Sequence, residues 1–471
     1  MGNPRRLALT LTLAASLPQL PATPASPHPH IVILFVDDMG YGDPGCYNPE
    51  SKIPTPHIDS LASAGMRFTD AHAPGALCHP SRYGLLTGRY PLRTDITVWP
   101  DQALIVEGQT TLASLLQSQG YHTVMVGKWH LGFEEDGYDQ ALPGGPIDRG
   151  FDGFFGIRAS TDIPPYFYIR GDRALAPPSE HIDANSTQGW SPIQGAFWRA
   201  GGIAPDLKLE EVLPRFTEEA ITAIRSHASS SPDRPLFLYH SLPAPHTPWL
   251  PAEAFIGTSE AGLYGDFMTM VDHELGRVLE ALEEADMADR SLVIFASDNG
   301  PVWYPEDVER FGHSSVGPLR GMKGDAWEGG HRMPFIVRWP GKIKPGSTSD
   351  QVISFTDLLA TFADLLDAEL PPGGGEDSFS ILPEWLGEHP PGTPIRPPVV
   401  ISGLGGTHSI RSGPWKLIEG LGSRGFSEPR TIKPTPGGPT GQLYHLGDDL
   451  AETNNLWQEE PQIREGLLEE L

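Results

Sequence analysis

The sequence predicts an α/β fold, with a large, mostly parallel sheet flanked by helices and a smaller C-terminal antiparallel subdomain packed against a helix. Three observations carry this. First, five short unbroken apolar runs, Ile31–Val36, Thr123–Val126, Leu236–Tyr239, Leu292–Ala296 and Phe335–Val337, read as buried parallel strands, because continuous hydrophobicity needs cover on both sheet faces. Second, helical patterns lie between those runs, and strands alternating with helices imply a layered α/β sheet. Third, the texture changes near Pro371, where short strand-like pieces separated by Gly and Pro take over.

The elements follow in order. Arg5 and Arg6, then an apolar run from Leu7 to Leu17, then the small and proline-rich Pro18–Ala25, read as a signal peptide over about residues 1–25. The run is shorter than the ~20 residues that span a bilayer, so an exported, periplasmic or secreted protein without a membrane span is expected. Thr110 is placed to cap a helix through Gln119, which Gly120 ends. Met268, Val271, Leu275, Val278, Leu279 and Leu282 recur at helical spacing. Thr356 is placed to cap a helix to about Leu366. The main domain is expected over 30–370. Pro371–Gly375 reads as a linker into a 371–471 subdomain with strands Val399–Ser402, Ser409–Ile410, Trp415–Ile418 and Leu443–Leu446 around the long loop Gly420–Gly441.

Composition narrows the partners. A net charge of −27 repels nucleic-acid backbones and anionic membranes, which excludes both as partners. Any anionic substrate must then be held by few, local cations. The chain has two cysteines, Cys46 and Cys78, and export leaves open a bridge between them.

Chemically capable residues cluster just after the predicted strands. Asp37 and Asp38 follow Val36. Lys128 and His130 follow Val126, His246 lies beyond Tyr239, and Asp298 and Asn299 follow Ala296. Open α/β sheets build their sites outside the carboxyl ends of strands, which places all of these along one rim. Asp37, Asp38, Asp298 and Asn299 are hard oxygen donors suited to Ca²⁺, with Mg²⁺ second, and no histidine cluster has zinc spacing. These carboxylates leave a site only slightly negative once a divalent ion binds, which can accept a monoanionic ester.

The most specific segment is Leu77-Cys78-His79-Pro80-Ser81-Arg82, followed by Gly84-Leu85-Leu86-Thr87-Gly88-Arg89. Pro80 is compatible with a helix first turn, whose free amides favour an anion, and Arg82 falls one turn on from Cys78. Cys-x-Pro-Ser-Arg followed by Leu-Thr-Gly-Arg resembles the sulfatase signature, with His79 where Thr or Ser is usual. The resemblance extends through IVILFVDDMGYG (31–42), TPHIDSLASAGMRFT (55–69), GKWHLG (127–132), PHTP (245–248), SDNG (297–300), GMKGDAWEGGHRMP (321–334) and the tail segments 410–418 and 443–456. The arylsulfatase branch is the most similar, within the alkaline phosphatase-like superfamily.

That resemblance implies an enzyme hydrolysing sulfate monoesters of a glycan or an aryl group. It implies that a formylglycine-generating enzyme oxidises Cys78 to 3-oxoalanine (formylglycine). It also implies that Asp37, Asp38, Asp298, Asn299 and the modified Cys78 bind Ca²⁺, and that Arg82 and Lys128 hold the aldehyde hydrate. His130 would be the base for sulfate expulsion, His246 the general acid, and His246, Lys323 and Ser160 would contact the sulfate. A phosphoesterase or phosphonate monoester hydrolase on the same fold, and a secreted calcium-dependent glycan-binding protein without turnover, stay open as alternatives. Trp303, Tyr304, His313 and Trp327 read as core, with a substrate subsite as the second reading.

Overall fold

The computed structural model describes residues 1–2, 28–96 and 102–471. The expected signal peptide falls almost wholly outside these. Among the described residues no helix is long and apolar enough to cross a membrane.

Among the described residues the main sheet has eleven strands. In chain order the first six are β1 (His30–Asp37), β2 (Met66–His72), β3 (His122–Lys128), β4 (Gly153–Ile157), β5 (Tyr168–Arg170) and β6 (Arg173–Ala174). A separate ribbon, β7 (Glu180–Ile182) with β8 (Gly201–Ile203), follows. The sheet then resumes with β9 (Leu236–Pro245), β10 (Ser291–Ser297), β11 (Arg332–Arg338), β12 (Ser347–Ser349) and β13 (Ile353–Ser354). Across the sheet the order is β12-β2-β11-β10-β1-β9-β3-β4-β5-β6, with β13 also on β2. The central run from β10 to β4 is parallel. Every residue of β1 is buried, as a strand with helices over both faces requires. Helices Pro56–Ala64, Val212–Ser230 and Gly262–Glu284 pack together as one layer. Helices Cys78–Thr87, Leu112–Ser118 and Asp357–Leu365 form another. The predicted stripe of Met268, Val271, Leu275, Val278 and Leu282 is buried, with Leu279 at its edge.

Three expectations need correction. Phe335–Val337 is a strand, but it runs antiparallel to both β10 and β2. Unbroken apolarity reports burial on both faces and carries no information on direction. The cap of the Leu112–Ser118 helix is Thr111, not Thr110. Its hydroxyl accepts from Ser114 N at 3.0 Å, and Ser114 Oγ accepts in return from Thr111 N at 2.9 Å. Thr356 precedes the Asp357–Leu365 helix without capping it. It already has helical dihedrals, and its hydroxyl donates to the Asp377 carbonyl instead.

The C-terminal sheet is antiparallel, in the order β14 (Val399–Ser402), β15 (His408–Ser412), β16 (Trp415–Ile418), β17 (Gln442–His445). Leu467 of the Pro461–Glu470 helix packs on Ile410, Leu417 and Leu443. Residues between the linker and β14 turn back onto the main body. Trp385 joins its core, and Arg396 is paired with Asp357 at 2.7 Å.

Candidate active site

The parallel registers deliver the site. Val36 pairs with Ser297, so the next residues, Asp37 and Asp298, emerge level at the same edge. Asp37 is also level with Pro245, one residue before His246. On the other side of β9, Gly127 pairs with Ser241, just before Lys128. Gly127 has φ +121°, and a Cβ there would lie 1.9 Å from the Ser241 carbonyl oxygen, so the close approach of β3 to β9 depends on this glycine. Asp38 and His130 hold positive φ values of 65° and 56°. Each is turned sharply out of its strand toward the rim.

Cys78 begins its helix, with Leu77 as a cap that supplies no side-chain hydrogen bond. The thiol is 4% exposed. It donates to Asp37 Oδ1 at 3.3 Å, and Lys323 Nζ reaches Sγ at the same distance. Burial, then the Asp37 charge, pushes the thiol well above its ordinary value. An unmodified Cys78 is therefore a protonated, unreactive group.

Three cations answer three carboxylates. Arg82 donates through Nε (3.0 Å) and Nη2 (2.7 Å) to Asp298 Oδ2, and its other nitrogen donates to the Lys128 carbonyl and Ser241 Oγ. Lys128 Nζ donates to Asp37 Oδ2 and, at 2.6 Å, to Ser160 Oγ. Lys323 Nζ donates to Asp38 Oδ1 at 2.5 Å. Burial acts to raise the Asp37 carboxyl, but Lys128, His246, Arg82 and Lys323 together hold it well below the carboxylate range. Burial and the neighbouring Asp37 push Asp298 up to about 6. The expectation of a slightly negative site is thus incomplete. The three cations already balance the three acids, so a divalent ion would leave a net positive site.

The donor set fits such an ion. Asn299 donates through Nδ2 to Asp38 Oδ1 at 2.7 Å and to the Gly300 carbonyl, while its Oδ1 is buried without a partner. An orphaned carbonyl beside buried carboxylates suits a hard cation. Asp37, Asp38, Cys78 and His246 also bring one potential ligand atom each within 4.8 Å of one another.

Above this cluster lies a cavity of about 320 Å³, lined by Cys78, His130, Ser160, His246 and Lys323 among others. Arg82 and Lys128 are buried behind the carboxylates and do not line it. His246 Nδ1 donates to the Thr247 carbonyl at 2.7 Å, so Nε2, 3.6 Å from Asp38 Oδ2, is the atom free to exchange a proton with substrate. Neither ring nitrogen of His130 has a hydrogen-bond partner. Burial, then Lys128, His79 and Arg82, hold that ring neutral. A neutral imidazole with uncommitted nitrogens is an acceptor in waiting.

Cys46 and Cys78 are both free, which overturns the bridge. Trp303, His313 and Trp327 are buried, as the core reading holds, whereas Tyr304 is half-buried. Sequence reasoning missed Ser241, Asp162 and Arg199. Ser241 links Arg82 to Lys128 by donating to the Lys128 carbonyl at 2.7 Å, and Asp162 with Arg199 lines the cavity. Asp162 stands two residues beyond Ser160, in the segment GIRASTD (156–162), so its position was visible. Nothing in the sequence around Arg199 marks it.

A profile of the Sulfatase family matches residues 29–368. The chain belongs to the sulfatase family. It is a sulfuric ester hydrolase, and its likenesses are consistent with that. The N-acetylgalactosamine-6-O-sulfatase of Bacteroides thetaiotaomicron is 34% identical, over 93% of this chain and 91% of that one. Human arylsulfatase A is 35% identical over 82% of this chain and 72% of the relative. A solved Bacteroides thetaiotaomicron sulfatase, described with the metabolism of multiple glycosaminoglycans, superposes with a TM-score of 0.82 at 33% identity. It covers 94% of this chain and 98% of that one.

Proposed function

We propose that this sulfatase is exported and hydrolyses sulfate monoesters of a glycan, with Cys78 converted to 3-oxoalanine by a formylglycine-generating enzyme and Ca²⁺ at the carboxylates. The observation that carries the reading is the position of Cys78. It is buried at a helix start, held between Asp37 and Lys323, and faces the cavity. A thiol that burial keeps protonated has no use as a nucleophile there, whereas an oxygen nucleophile does. Asp37, Asp38, Asp298 and Asn299 would hold Ca²⁺, which supplies Lewis acidity toward the sulfate and the nucleophile. The hydrated aldehyde supplies two hydroxyls on one carbon, one to attack sulfur and one to release sulfate. The glycan substrate is supported by the name of the Bacteroides relative.

The chain's own residues divide the remaining work. Lys323 faces the cavity and offsets the sulfate charge. Ser160, held by Lys128, offers a hydroxyl on the same wall. His130 accepts the proton whose removal expels sulfate. His246, in its cationic form, keeps the Nδ1 proton on the Thr247 carbonyl and gives the Nε2 proton to the leaving oxygen.

Two measurements test this. Mass mapping of the peptide carrying Cys78 from active material should find the aldehyde or its hydrate, and thiol alone in fully active enzyme would end the proposal. Parallel assays of a sulfate and a phosphate ester of the same alcohol should show the sulfate cleaved preferentially. The acid role has its own signature. His246→Ala should cost ~10²–10⁴ in kcat on a sugar sulfate, whose alkoxide needs a full proton, and far less on nitrophenyl sulfate. Equal losses on both would make His246 a sulfate-binding group only.

A further inference from the structure

A second cavity of about 460 Å³ adjoins the first across a shared wall. Three segments build that wall, and in each one residue or its neighbour serves either side. Val302 lines the first cavity and Trp303 the second. Lys323 lines the first and Met322 the second, and Phe426 lines both. Phe426 is seated by Gly324. That residue has φ +81°, and a Cβ on it would already touch the phenyl ring at 3.4 Å. Phe426 thus packs directly on the loop that presents Lys323.

The two cavities differ in charge. The first holds Lys323, Arg199 and His246 with the carboxylates Asp38 and Asp162 paired to the two cations, whereas the second has no cation in its lining. The charged side chains of the second are Glu306 and Glu428, the latter paired with Arg430 at 3.2 Å. Beside them stand the half-buried Tyr304 and Phe426, with Trp303 beneath, its indole nitrogen already donating to the His313 carbonyl at 2.9 Å. Aromatic faces bind the C–H face of a pyranose, and carboxylates accept from its hydroxyls while repelling other anions.

We infer that the second cavity is a subsite for an uncharged pyranose residue joined to the sulfated one, with Phe426 as the sill between them. This rests on the glycan reading above. The enzyme would then favour chains whose neighbouring sugar is a neutral hexose or N-acetylhexosamine over chains whose neighbour is a uronate.

Four substrates test it: nitrophenyl sulfate, 6-sulfated N-acetylgalactosamine, and that sugar linked to a neutral hexose or to a uronate. In the wild type, kcat/KM should rise roughly tenfold from the monosaccharide to the neutral disaccharide, about what one aromatic contact supplies, and should not rise for the uronate disaccharide. Tyr304→Ala should erase the rise and leave nitrophenyl sulfate unchanged. Glu306→Lys, at an exposed position, should improve the uronate disaccharide selectively. Equal kcat/KM for the monosaccharide and the neutral disaccharide, or an equal loss on every substrate in Tyr304→Ala, overturns the subsite. Cleavage of nitrophenyl sulfate with none of any sulfated sugar overturns the glycan reading and the subsite together, and is distinct from a flat sugar series.

Discussion

Cys78→Ser, with the introduced serine left unoxidised, should stop after one turnover, lowering steady-state kcat by roughly 10³-fold or more, on the scale of deleting a nucleophile. Serine places one hydroxyl where the thiol now lies, within reach of Asp37 and Lys323. That hydroxyl can attack sulfur and release the alcohol, with His246 protonating the leaving oxygen. The product is an alkyl sulfate on the introduced side chain. Its carbon bears no second hydroxyl, so His130 has no proton whose removal would expel sulfate. Water is the only remaining nucleophile, and alkyl sulfates resist it. The variant should therefore gain one sulfate per chain, visible in the mass of its peptide, and release one equivalent of alcohol. Sustained turnover with an unsulfated peptide would mean that water attacks directly and that residue 78 only holds the metal.

The largest stability effect is expected outside the cavity lining, at Lys416. This residue of β16 is 0% exposed and pairs with Glu328 at 3.0 Å and Glu452 at 2.9 Å, and its Nζ donates to His331 Nε2 at 3.1 Å. From there the bonds continue in one direction. His331 Nδ1 lies 3.0 Å from His72 Nδ1, and His72 Nε2 lies 2.7 Å from Asp70 Oδ1. One proton assignment satisfies the chain, with both rings neutral and the last N–H donated to Asp70. Arg411 closes it, bonded to Asp70 and Glu328. The network joins the C-terminal sheet to β2 and to the helix that follows the Lys323 loop.

Lys416→Met keeps the volume and removes the charge, leaving the buried Glu452 without its cation while Arg411 still pairs with Glu328. Breaking a buried pair in this way costs ~3–5 kcal/mol, which denaturant titration would show. A loss below about 1 kcal/mol would mean that water or rearrangement replaces the lysine. The pH dependence has a definite sign. Burial already pushes Glu452 up to about 7, Lys416 opposing and Glu328 adding to it. Without Lys416, the folded state holds this proton more tightly than the wild type does. The deficit against wild type should therefore grow as pH rises above about 7, where the wild-type Glu452 ionises and the variant's does not, and level off below it.

Much of the site was legible in the sequence. Asp37, Asp38, Lys128, His130, His246, Asp298 and Asn299 stand at or just past strand ends, and parallel strands must deliver such residues to one edge. Cys78 and Arg82 were legible because a helix start has its own local grammar. Other features had no local signal. Ser241 lies inside an unbroken buried strand, where its role depends on what β3 places opposite it. Arg199 sits in a segment without regular periodicity. The direction of Phe335–Val337 was unreadable because hydrophobicity has no sense of polarity.

The sequence by itself determined the five unbroken apolar strands, the C-terminal strands, the candidate rim and the oxygen-rich donor set, since periodicity and residue type act over a few neighbours. Only the tertiary structure decided the charge of the site, by bringing Arg82, Lys128 and Lys323 against Asp298, Asp37 and Asp38 from elements up to 285 residues apart. Only it separated Trp303 and Trp327, which are buried, from the half-buried Tyr304 at the mouth of a second cavity. Charge balance and exposure are sums over everything nearby in space. A chain read in order holds the terms of those sums but not which of them meet.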